Sequence, residues 1–274
     1  MTRVVILAGY EYFTVELIPA IVPCEFVHGV FQVTANENTK KHYDLTAAQY
    51  DKTLGNDKVV EHTRALELLV PRYFSEASSV LDIGTGTGRA LEWLSSHFSE
   101  RKAKVDLTGV EPSTALAEIA RKKVPSAKIV EGSGESLPFA EGSFDLVTIT
   151  GVLHHVEFPK QVLTEAFRVS RFGVLISDHN NFSFGSRGAR KLRLGLYAAN
   201  LLSAFTYVRL GFRRQGYSEG DGWWYPYSLL NDFDVISKNS EQYAIVPTRR
   251  PNSGLGNFML SNSHIAVACI KKTA

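Results

Sequence analysis

The size and charge of the chain set the first limits on its function. Its 274 residues, 44% hydrophobic and 21% charged, are enough for one large domain with a full core. The 30 basic and 28 acidic residues nearly balance, so no overall field attracts the chain to nucleic acid. The two cysteines, Cys24 and Cys269, match no disulfide or metal framework, which indicates a reducing compartment.

The N-terminal 39 residues are apolar but lack the pattern of a membrane anchor. Within residues 4–31 three acids interrupt the apolar run and Pro19 and Pro23 break it, whereas a membrane helix needs about 20 uninterrupted apolar residues. We therefore expect a cytoplasmic protein. It has an extension of unknown role over residues 1–39 and a main domain over 40–274.

The middle of the chain alternates helical and strand-like patterns. Residues 43–73 have a helical apolar face that includes Tyr50 and Leu66. Short β-branched runs then predict five strands, with helices between them, at 79–83, 105–110, 127–130, 144–149 and 173–177. This alternation predicts an α/β fold, a Rossmann-like, mostly parallel sheet with helices on both faces.

The alternation stops after Asp178 and resumes only near the C-terminus. Strands are predicted at 242–247 and 264–270, and residues 182–241, which precede them, form an insertion that we interpret as an acceptor lid. Its segment 187–214 has seven arginines and lysines and no acid around an apolar stretch. This pattern fits an interfacial amphipathic helix, an anion-binding lid or a solvated basic face.

A glycine-rich turn marks the cofactor site. The strand ending near Asp82 is followed by Gly84, Gly86 and Gly88 and then by a predicted helix over residues 89–98. Glycines let the backbone approach a ligand closely. Arg89 stands where the dinucleotide fingerprint has its third glycine, so pyrophosphate binding is disfavoured. Glu111 ends the next strand, 23 residues after Gly88, where a carboxylate accepts from ribose hydroxyls.

Five motifs, taken together, carry a family resemblance. They are Asp82-x-Gly84-x-Gly86-x-Gly88, Gly109-Val110-Glu111-Pro112-Ser113, residues 132–139 from Gly132 to Phe139, residues 142–147 from Gly142 to Val147, and Val152-Leu153-His154-His155-Val156. In order and spacing they resemble the class I S-adenosylmethionine-dependent methyltransferases. The nearest subgroup is the small-molecule one that includes the ubiquinone/menaquinone-type enzymes. The resemblance covers roughly residues 40–178.

The resemblance implies S-adenosylmethionine as the cofactor and assigns residues to it. Gly84 and Gly86 would flank its methionine part, and Glu111 would hold its ribose. Ser133 and Gly134 would edge its adenine, and Thr150 and Gly151 would lie beneath its methionine part. The remaining cofactor-binding positions are Asp82, Gly88 and Pro112. Ser133 departs from the family pattern, because relatives usually carry an aspartate there, and a hydroxyl is a weaker acceptor. A second departure is at residues 168–173, which replace a Leu-Lys-Pro-Gly-Gly turn.

Three histidines follow strands at the edge where such sheets bind ligands. His155, His179 and His154 are the candidate bases for removing a proton from an acceptor hydroxyl, in that order. Asp178 is the expected orienter of His179, and an Asx turn is the alternative for that segment. No metal ion is expected.

The acceptor is predicted less sharply than the cofactor. The aromatic loop over residues 217–227 suits stacking on a sugar or a quinone, or else belongs to the core. A hydroxyl of a sugar or polysaccharide precursor is the first expectation. The alternatives are a quinone or lipid-like acceptor reached at a membrane surface, and a non-catalytic cofactor-binding protein. Nucleic-acid methylation is disfavoured by the charge balance.

Overall fold

The computed structural model describes residues 3–8, 11–15, 34–53, 55–101, 104–180, 185–199, 201–219, 221–248 and 264–272. In these ranges the strands, in chain order, are β1 Arg3–Ala8, β2 Glu11–Val15, β3 Ser79–Ile83, β4 Asp106–Glu111, β5 Lys128–Glu131, β6 Phe144–Thr150, β7 Ser170–His179, β8 Gly216–Ser218, β9 Gly222–Trp224, β10 Ser240–Pro247 and β11 His264–Lys271. The helices are α1 Thr34–Thr46, α2 Tyr50–Thr53, α3 Gly55–Tyr73, α4 Arg89–Glu100, α5 Thr114–Lys123, α6 Pro159–Val169, α7 Arg187–Ala198, α8 Leu202–Arg209 and α9 Phe233–Asn239.

Nine of the described strands form one sheet in the order β2-β1-β10-β11-β7-β6-β3-β4-β5. The strands β3 to β7 pair in parallel, while β11 runs antiparallel to both β7 and β10. The predicted Rossmann-like, mostly parallel sheet is confirmed. The chain leaves β3 toward β4 and β5 and then crosses back to β6. This switch point opens a crevice at the carboxyl ends of β3 and β6, where ligands bind in folds of this kind.

Side chains on the two faces of the sheet enter two separate hydrophobic cores. On β3, Val80 belongs to one core, whereas Leu81 and Ile83 belong to the other. On β6, Leu146 and Val147 divide in the same way. This alternation follows from the two-residue period of a strand, and burial on both faces explains the continuous apolar runs in the sequence.

The helix predicted over residues 43–73 is wrong as a single element. Helix α1 ends at Thr46, a 3-10 turn covers Ala47–Gln49, and α2 and α3 follow. The Thr46 hydroxyl donates to the carbonyl of His42 (2.9 Å), one turn earlier. Hydroxyl bonds of this kind compete with the helical backbone and help to end a helix.

The segment before residue 40 includes two strands at the edge of the sheet. The strand β1 pairs in parallel with β10, and β2 pairs antiparallel with β1. Helix α1 crosses the predicted boundary between residues 39 and 40, and that boundary stays a prediction. Residues 16–33, including Cys24, lie outside the described residues, whereas Cys269 is buried.

The predicted insertion contains regular elements rather than an irregular loop. Helices α7 and α8 contact each other, and neither has a buried residue. The two-stranded β8–β9 hairpin follows, and α9 returns to the core through Ile236. Residues 181–184, at its start, lie outside the described residues. In the part of the chain that is described, no helix is long and apolar enough to cross a membrane.

Candidate functional site

The glycine loop after β3 is held by hydrogen bonds to β4 on one side and faces open space on the other. The backbone N–H groups of Gly84 and Thr85 donate to the carbonyl of Val110 on β4 (2.8 and 3.1 Å). Gly86 has a φ of +57°, and a Cβ there would meet only the Tyr50 ring, at 3.8 Å. At Gly88 a Cβ would lie 3.2 Å from the Cα of Ala120. Gly86 therefore faces the cleft, whereas Gly88 allows close helix packing.

A cleft opens between the glycine loop, the end of β6 and α3. Four of the predicted cofactor residues line it, namely Gly84, Gly86, Thr150 and Gly151. The lining also includes three residues that the sequence did not single out for this role, namely Tyr50, His62 and Arg89. The other predicted cofactor residues do not line this cleft, and they lie beneath the loop or along the neighbouring strand ends.

Arg89, the first residue of α4, supplies an unsatisfied donor to this cleft. Its Nη1 is buried and has no hydrogen-bond partner among the described residues. Its Nε lies 3.8 Å from Asp51, and its guanidinium lies over the Tyr50 ring, 5.5 Å from the centroid. A buried guanidinium donor without a partner favours an anionic group such as a carboxylate.

Glu111 ends β4 beside the glycine loop and is 4% exposed. Its Oε2 accepts the backbone N–H of Gly86 (2.8 Å), and its Oε1 accepts that of Ser113 (2.9 Å). Burial raises the pKa of the carboxyl above its usual range, although these two hydrogen bonds oppose the shift. Each oxygen keeps a lone pair for a further donor.

Asp82 lies beneath the loop rather than in the cleft. It is 1% exposed, and its Oδ1 accepts the Thr148 hydroxyl (2.7 Å). Burial raises the pKa of Asp82 to about 7. The Thr85 hydroxyl donates to the backbone carbonyl of Asp82 (3.0 Å). These contacts fix the start of the loop.

The predicted adenine edge lies at the next strand end. The Ser133 hydroxyl donates to Glu135 Oε2 (2.6 Å). A Cβ on Gly134 would lie 2.6 Å from Ile83, so only glycine fits against the end of β3. Pro112 is half-buried between Glu111 and Ser113.

Helices α1 and α2 contact the start of α5 and the glycine loop through two aspartates that no sequence motif indicated. Asp44 accepts from the Ser113 hydroxyl (2.6 Å), at the start of α5. Asp51 accepts from the hydroxyl of Thr87 in the glycine loop (2.6 Å). These bonds hold the α1–α2 segment against the loop.

Five of the eight histidines form a continuous series of ring contacts beside the cleft. Neighbouring ring centroids are 3.8 to 5.5 Å apart in the order His62, His264, His179, His154, His155. The register of β7 and β11 places His264 opposite His179. His62 comes from α3, and it donates to or accepts from the Ser177 hydroxyl (3.0 Å).

The two neighbouring histidines of the turn Leu153–His155 have different environments. His154 is 3% exposed, and its Nδ1 lies 2.8 Å from Asp178 Oδ1. His155 is half-buried, with Nδ1 at 2.7 Å from the Trp223 carbonyl and Nε2 at 3.1 Å from the Tyr43 hydroxyl. Carboxylate and carbonyl oxygens only accept, so Nδ1 carries the proton in both rings and Nε2 keeps its lone pair.

Three histidines of this series are held neutral. Burial lowers the pKa of His62 to about 3, and it also lowers the pKa values of His154 and His179. Asp178, the expected orienter of His179, accepts the backbone N–H of that residue (2.7 Å) and the ring of His154. Which histidine acts on an acceptor stays a prediction.

The aromatic loop lies against these histidines. The backbone N–H of Tyr225 donates to the carbonyl of His154 (2.7 Å), and the Trp223 carbonyl contacts His155. Tyr227 is a core residue, 5% exposed, whereas Tyr217 is 52% exposed. The loop therefore divides between core packing and an exposed edge beside the candidate bases.

The fold and the cleft at its switch point define an α/β protein that binds a nucleoside-type cofactor. The comparisons with known proteins narrow this class. A family model described as a methyltransferase domain matches residues 81–176. An uncharacterized protein of Methanocaldococcus jannaschii is 30% identical over 182 residues, which cover 62% of this chain and 80% of that protein.

Two curated relatives carry functional names. A demethylmenaquinone methyltransferase of Renibacterium salmoninarum is 30% identical, over 52% of this chain and 59% of its own length. A ubiquinone/menaquinone biosynthesis C-methyltransferase of Campylobacter jejuni is 26% identical, over 49% of this chain and 59% of its own length. The chain thus spans about three fifths of these relatives.

A solved structure has the same fold. A SAM-dependent methyltransferase of Thermotoga maritima aligns with a TM-score of 0.56 at 21% identity, over 85% of this chain and 100% of that chain. Residues 81–176 thus match a methyltransferase domain, and the fold is that of S-adenosylmethionine-dependent methyltransferases, as the motifs predicted. The predicted cofactor, S-adenosylmethionine, is the cofactor of this family.

Proposed function

We propose that this chain transfers a methyl group from S-adenosylmethionine to a quinone-type or other lipid-like ring that it meets at a membrane surface. The observation that carries methyl transfer is the cleft between the glycine loop and the end of β6, with the unpartnered Nη1 of Arg89 in its wall. The exposed surface of helices α7 and α8 favours a lipid-like acceptor. The names of two relatives support that choice.

The residues of the cleft fit the proposed cofactor. Gly86 leaves space for its methionine part, Gly84 lets the loop pack closely against Val152, and Arg89 offers a donor for the carboxylate of that part. The free lone pairs of Glu111 accept from the two ribose hydroxyls. Thr150 and Gly151 form the floor. When bound, the cofactor supplies an activated methyl group, so the protein has only to position the acceptor.

The other predicted cofactor residues support the site from outside the cleft. Asp82 fixes the start of the glycine loop, and Gly88 lets α4 pack against α5. Pro112, Ser133 and Gly134 lie along the strand ends on the adenine side. Their role is to shape that end of the site.

His155 is the proposed base for the acceptor hydroxyl. Its Nδ1 is fixed by the Trp223 carbonyl, so the lone pair on Nε2 faces the Tyr43 hydroxyl. An acceptor hydroxyl that takes the place of the Tyr43 hydroxyl would lose its proton to Nε2. His179 is the second candidate and His154 the third, because both rings are buried among other histidines.

The α7–α8 surface has the composition of a membrane-binding element. Its exposed apolar side chains are Leu192, Leu194, Tyr197, Leu201, Phe205, Tyr207, Val208 and Phe212. Seven cations and no acid lie in residues 187–214. Apolar side chains beside cations bind the surface of an anionic bilayer. The chain leads from α8 directly into the β8–β9 hairpin, whose Trp223 contacts His155.

A sugar hydroxyl, the first expectation from the sequence, is not supported by the comparisons. The relatives described above are not named for a sugar substrate. The exposed apolar surface of α7 and α8 would not help to bind a polar sugar. We therefore propose the lipid-like acceptor that was the alternative. The cytoplasmic location stays a prediction, and it matches a reaction at the inner face of a membrane.

Binding to vesicles tests the acceptor class. Wild-type protein should float with vesicles that contain anionic lipid and not with neutral phosphatidylcholine vesicles. Replacing Arg187, Arg190 and Lys191 by Gln should weaken binding about a hundredfold, at about 1 kcal/mol per cation. A matched control replaces Arg101, Lys122 and Lys128, which are also exposed.

Turnover on the same vesicles completes this test. With reduced demethylmenaquinone in anionic vesicles, wild-type protein should form S-adenosylhomocysteine and a methylated ring. Equal flotation of both triple variants, or no turnover of this acceptor, would contradict the lipid-like assignment.

A further inference from the structure

The histidine series contains a group of three side chains arranged like the ligands of a metal ion. His154, His155 and Asp221 each offer a ligand atom, and these atoms all lie within 4.8 Å of one another. We propose that His154, His155 and Asp221 bind one divalent transition-metal ion. No local ligand spacing in the sequence indicates this site, because Asp221 lies 66 residues beyond His155.

Both imidazoles have the outer-shell hydrogen bond that metal-binding histidines need. His154 directs Nδ1 at the Asp178 carboxylate, and His155 directs Nδ1 at the Trp223 carbonyl. Such bonds fix the tautomer and leave the lone pair of each Nε2 for the ion, which displaces the Tyr43 hydroxyl from Nε2 of His155. These contacts are formed within the protein itself, so the two nitrogen ligands are oriented before any ion binds.

The third ligand lies close to its required position. Asp221 Oδ2 is 4.0 Å from His154 Nε2. Two ligands of a tetrahedral ion with bonds of about 2.0 to 2.1 Å lie about 3.3 Å apart. Asp221 lies in the turn between β8 and β9 and precedes Gly222, whose φ is +68°. A shift of the carboxylate by less than an ångström therefore gives the spacing from His154 that an ion requires, and the other ligand pairs lie within 4.8 Å.

Asp178 belongs to the outer shell of this site. It also lies within 4.8 Å of ligand atoms on His154 and His179. However, its carboxylate already accepts from the backbone N–H groups of Leu153 and His179 and from the ring of His154. A fully buried carboxylate with three donors holds a ligand in place rather than binding the ion itself.

The donor set selects the kind of ion. Two imidazoles and one carboxylate favour Zn²⁺, Co²⁺ or Fe²⁺, whereas Mg²⁺ and Ca²⁺ prefer sites made of oxygen ligands. Three protein ligands leave at least one position for water or for an acceptor oxygen. With the ion bound, Nε2 of His155 would be a ligand and could not also be the base proposed above; the ion would then take over that role by lowering the pKa of a bound acceptor hydroxyl.

Metal titration of the full chain tests the proposal without reference to methyl transfer. Protein stripped with a chelator is dialysed against Zn²⁺, and bound zinc is counted by elemental analysis. We expect one ion per chain. Co²⁺ should compete for the site and give the visible absorption of a bound nitrogen-ligated ion, whereas Mg²⁺ should not displace it.

Matched variants locate the ion. Asp221→Asn and His155→Gln should each weaken Zn²⁺ binding at least tenfold, and Asp178→Asn should weaken it 10- to 100-fold through the outer shell. His97→Gln is the control, because His97 stacks on Trp93 of α4, outside the histidine series. Thermal unfolding identifies any variant that fails to fold, and Asp221→Asn changes a partly exposed side chain with little risk to the core.

Two results would overturn the assignment. One is the absence of a stoichiometric zinc ion in wild-type protein. The other is equal zinc binding in wild type, Asp221→Asn and His155→Gln, which would mean that the ion binds elsewhere. Neither result bears on the cofactor cleft, so failure of the metal site and failure of the methyltransferase proposal are separate.

Discussion

The replacement Glu111→Ala tests the cofactor assignment most sharply. The structure gives this carboxylate two tasks. It accepts the backbone N–H groups of Gly86 and Ser113 at 2.8 and 2.9 Å, and its remaining lone pairs are proposed to accept from the ribose hydroxyls. Alanine removes both sets of bonds, so the change should affect cofactor affinity and the stability of the loop together.

The size of the effect follows from these bonds. Losing charge-assisted bonds to two hydroxyls should cost about 1.5 to 3 kcal/mol of binding, or roughly 10- to 150-fold in affinity. The two backbone donors lose their acceptor as well, and each costs about 1 kcal/mol or more where water cannot replace the carboxylate. The free energy of unfolding should therefore fall by about 2 kcal/mol.

Calorimetric titration with S-adenosylhomocysteine measures the binding, and denaturant unfolding measures the stability. Glu131→Ala is the matched control, because Glu131 ends the neighbouring strand β5 and bonds to the exposed Arg121. The control should bind like the wild type. Unchanged affinity in a folded Glu111→Ala protein would refute the ribose assignment. An equal loss of affinity in Glu111→Ala and Glu131→Ala would show that the effect does not depend on the hydrogen bonds of Glu111.

Three further predictions follow from the site. Gly86→Val should abolish cofactor binding, because the valine side chain enters the cleft. Gly142→Val is the control for backbone strain, because Gly142 also has a positive φ, +63°, with open space around it, and this variant should bind normally. Titration of both variants with S-adenosylhomocysteine measures the difference in affinity. The pKa of His62 is about 3 in the fold and 6.5 when unfolded, so the unfolded chain takes up the proton first as the pH falls below about 6.5. Relative to His62→Asn, the wild type should therefore lose about 2 kcal/mol of unfolding free energy between pH 8 and pH 5. A difference in unfolding free energy between the two proteins that does not change with pH would contradict a neutral His62. His155→Gln should lower turnover about a hundredfold with cofactor affinity nearly intact, while His97→Gln should leave both unchanged; normal steady-state turnover in His155→Gln would exclude the proposed base.

The sheet could be predicted from the sequence because its signals are local. The strand β3 was predicted with its observed bounds, since a buried strand is a short β-branched run that ends at a glycine turn. The other six predicted strands differ from the observed ones by a few residues at their ends. The glycine loop, Glu111 and the end of β6 were found for the same reason, because each directly follows a strand.

The rest of the site depends on contacts between distant parts of the chain. His264 meets His179 only because β11 pairs antiparallel with β7, and no local pattern encodes that register. Tyr43 reaches His155 across 112 residues. Arg89 was seen only as a departure from a dinucleotide motif. Its position in the cleft, with an unpartnered donor, requires the packing of α2 against the glycine loop.

Methyl transfer to a lipid-like acceptor can be followed with an isotope label. Purified protein is incubated with S-adenosylmethionine that carries a trideuterated methyl group and with a reduced lipid extract, and the products are analysed by mass spectrometry. We expect a labelled ring compound in the lipid fraction, with an equal amount of S-adenosylhomocysteine. Label found only in water-soluble products, or no label transferred by a protein that binds the cofactor, would contradict it.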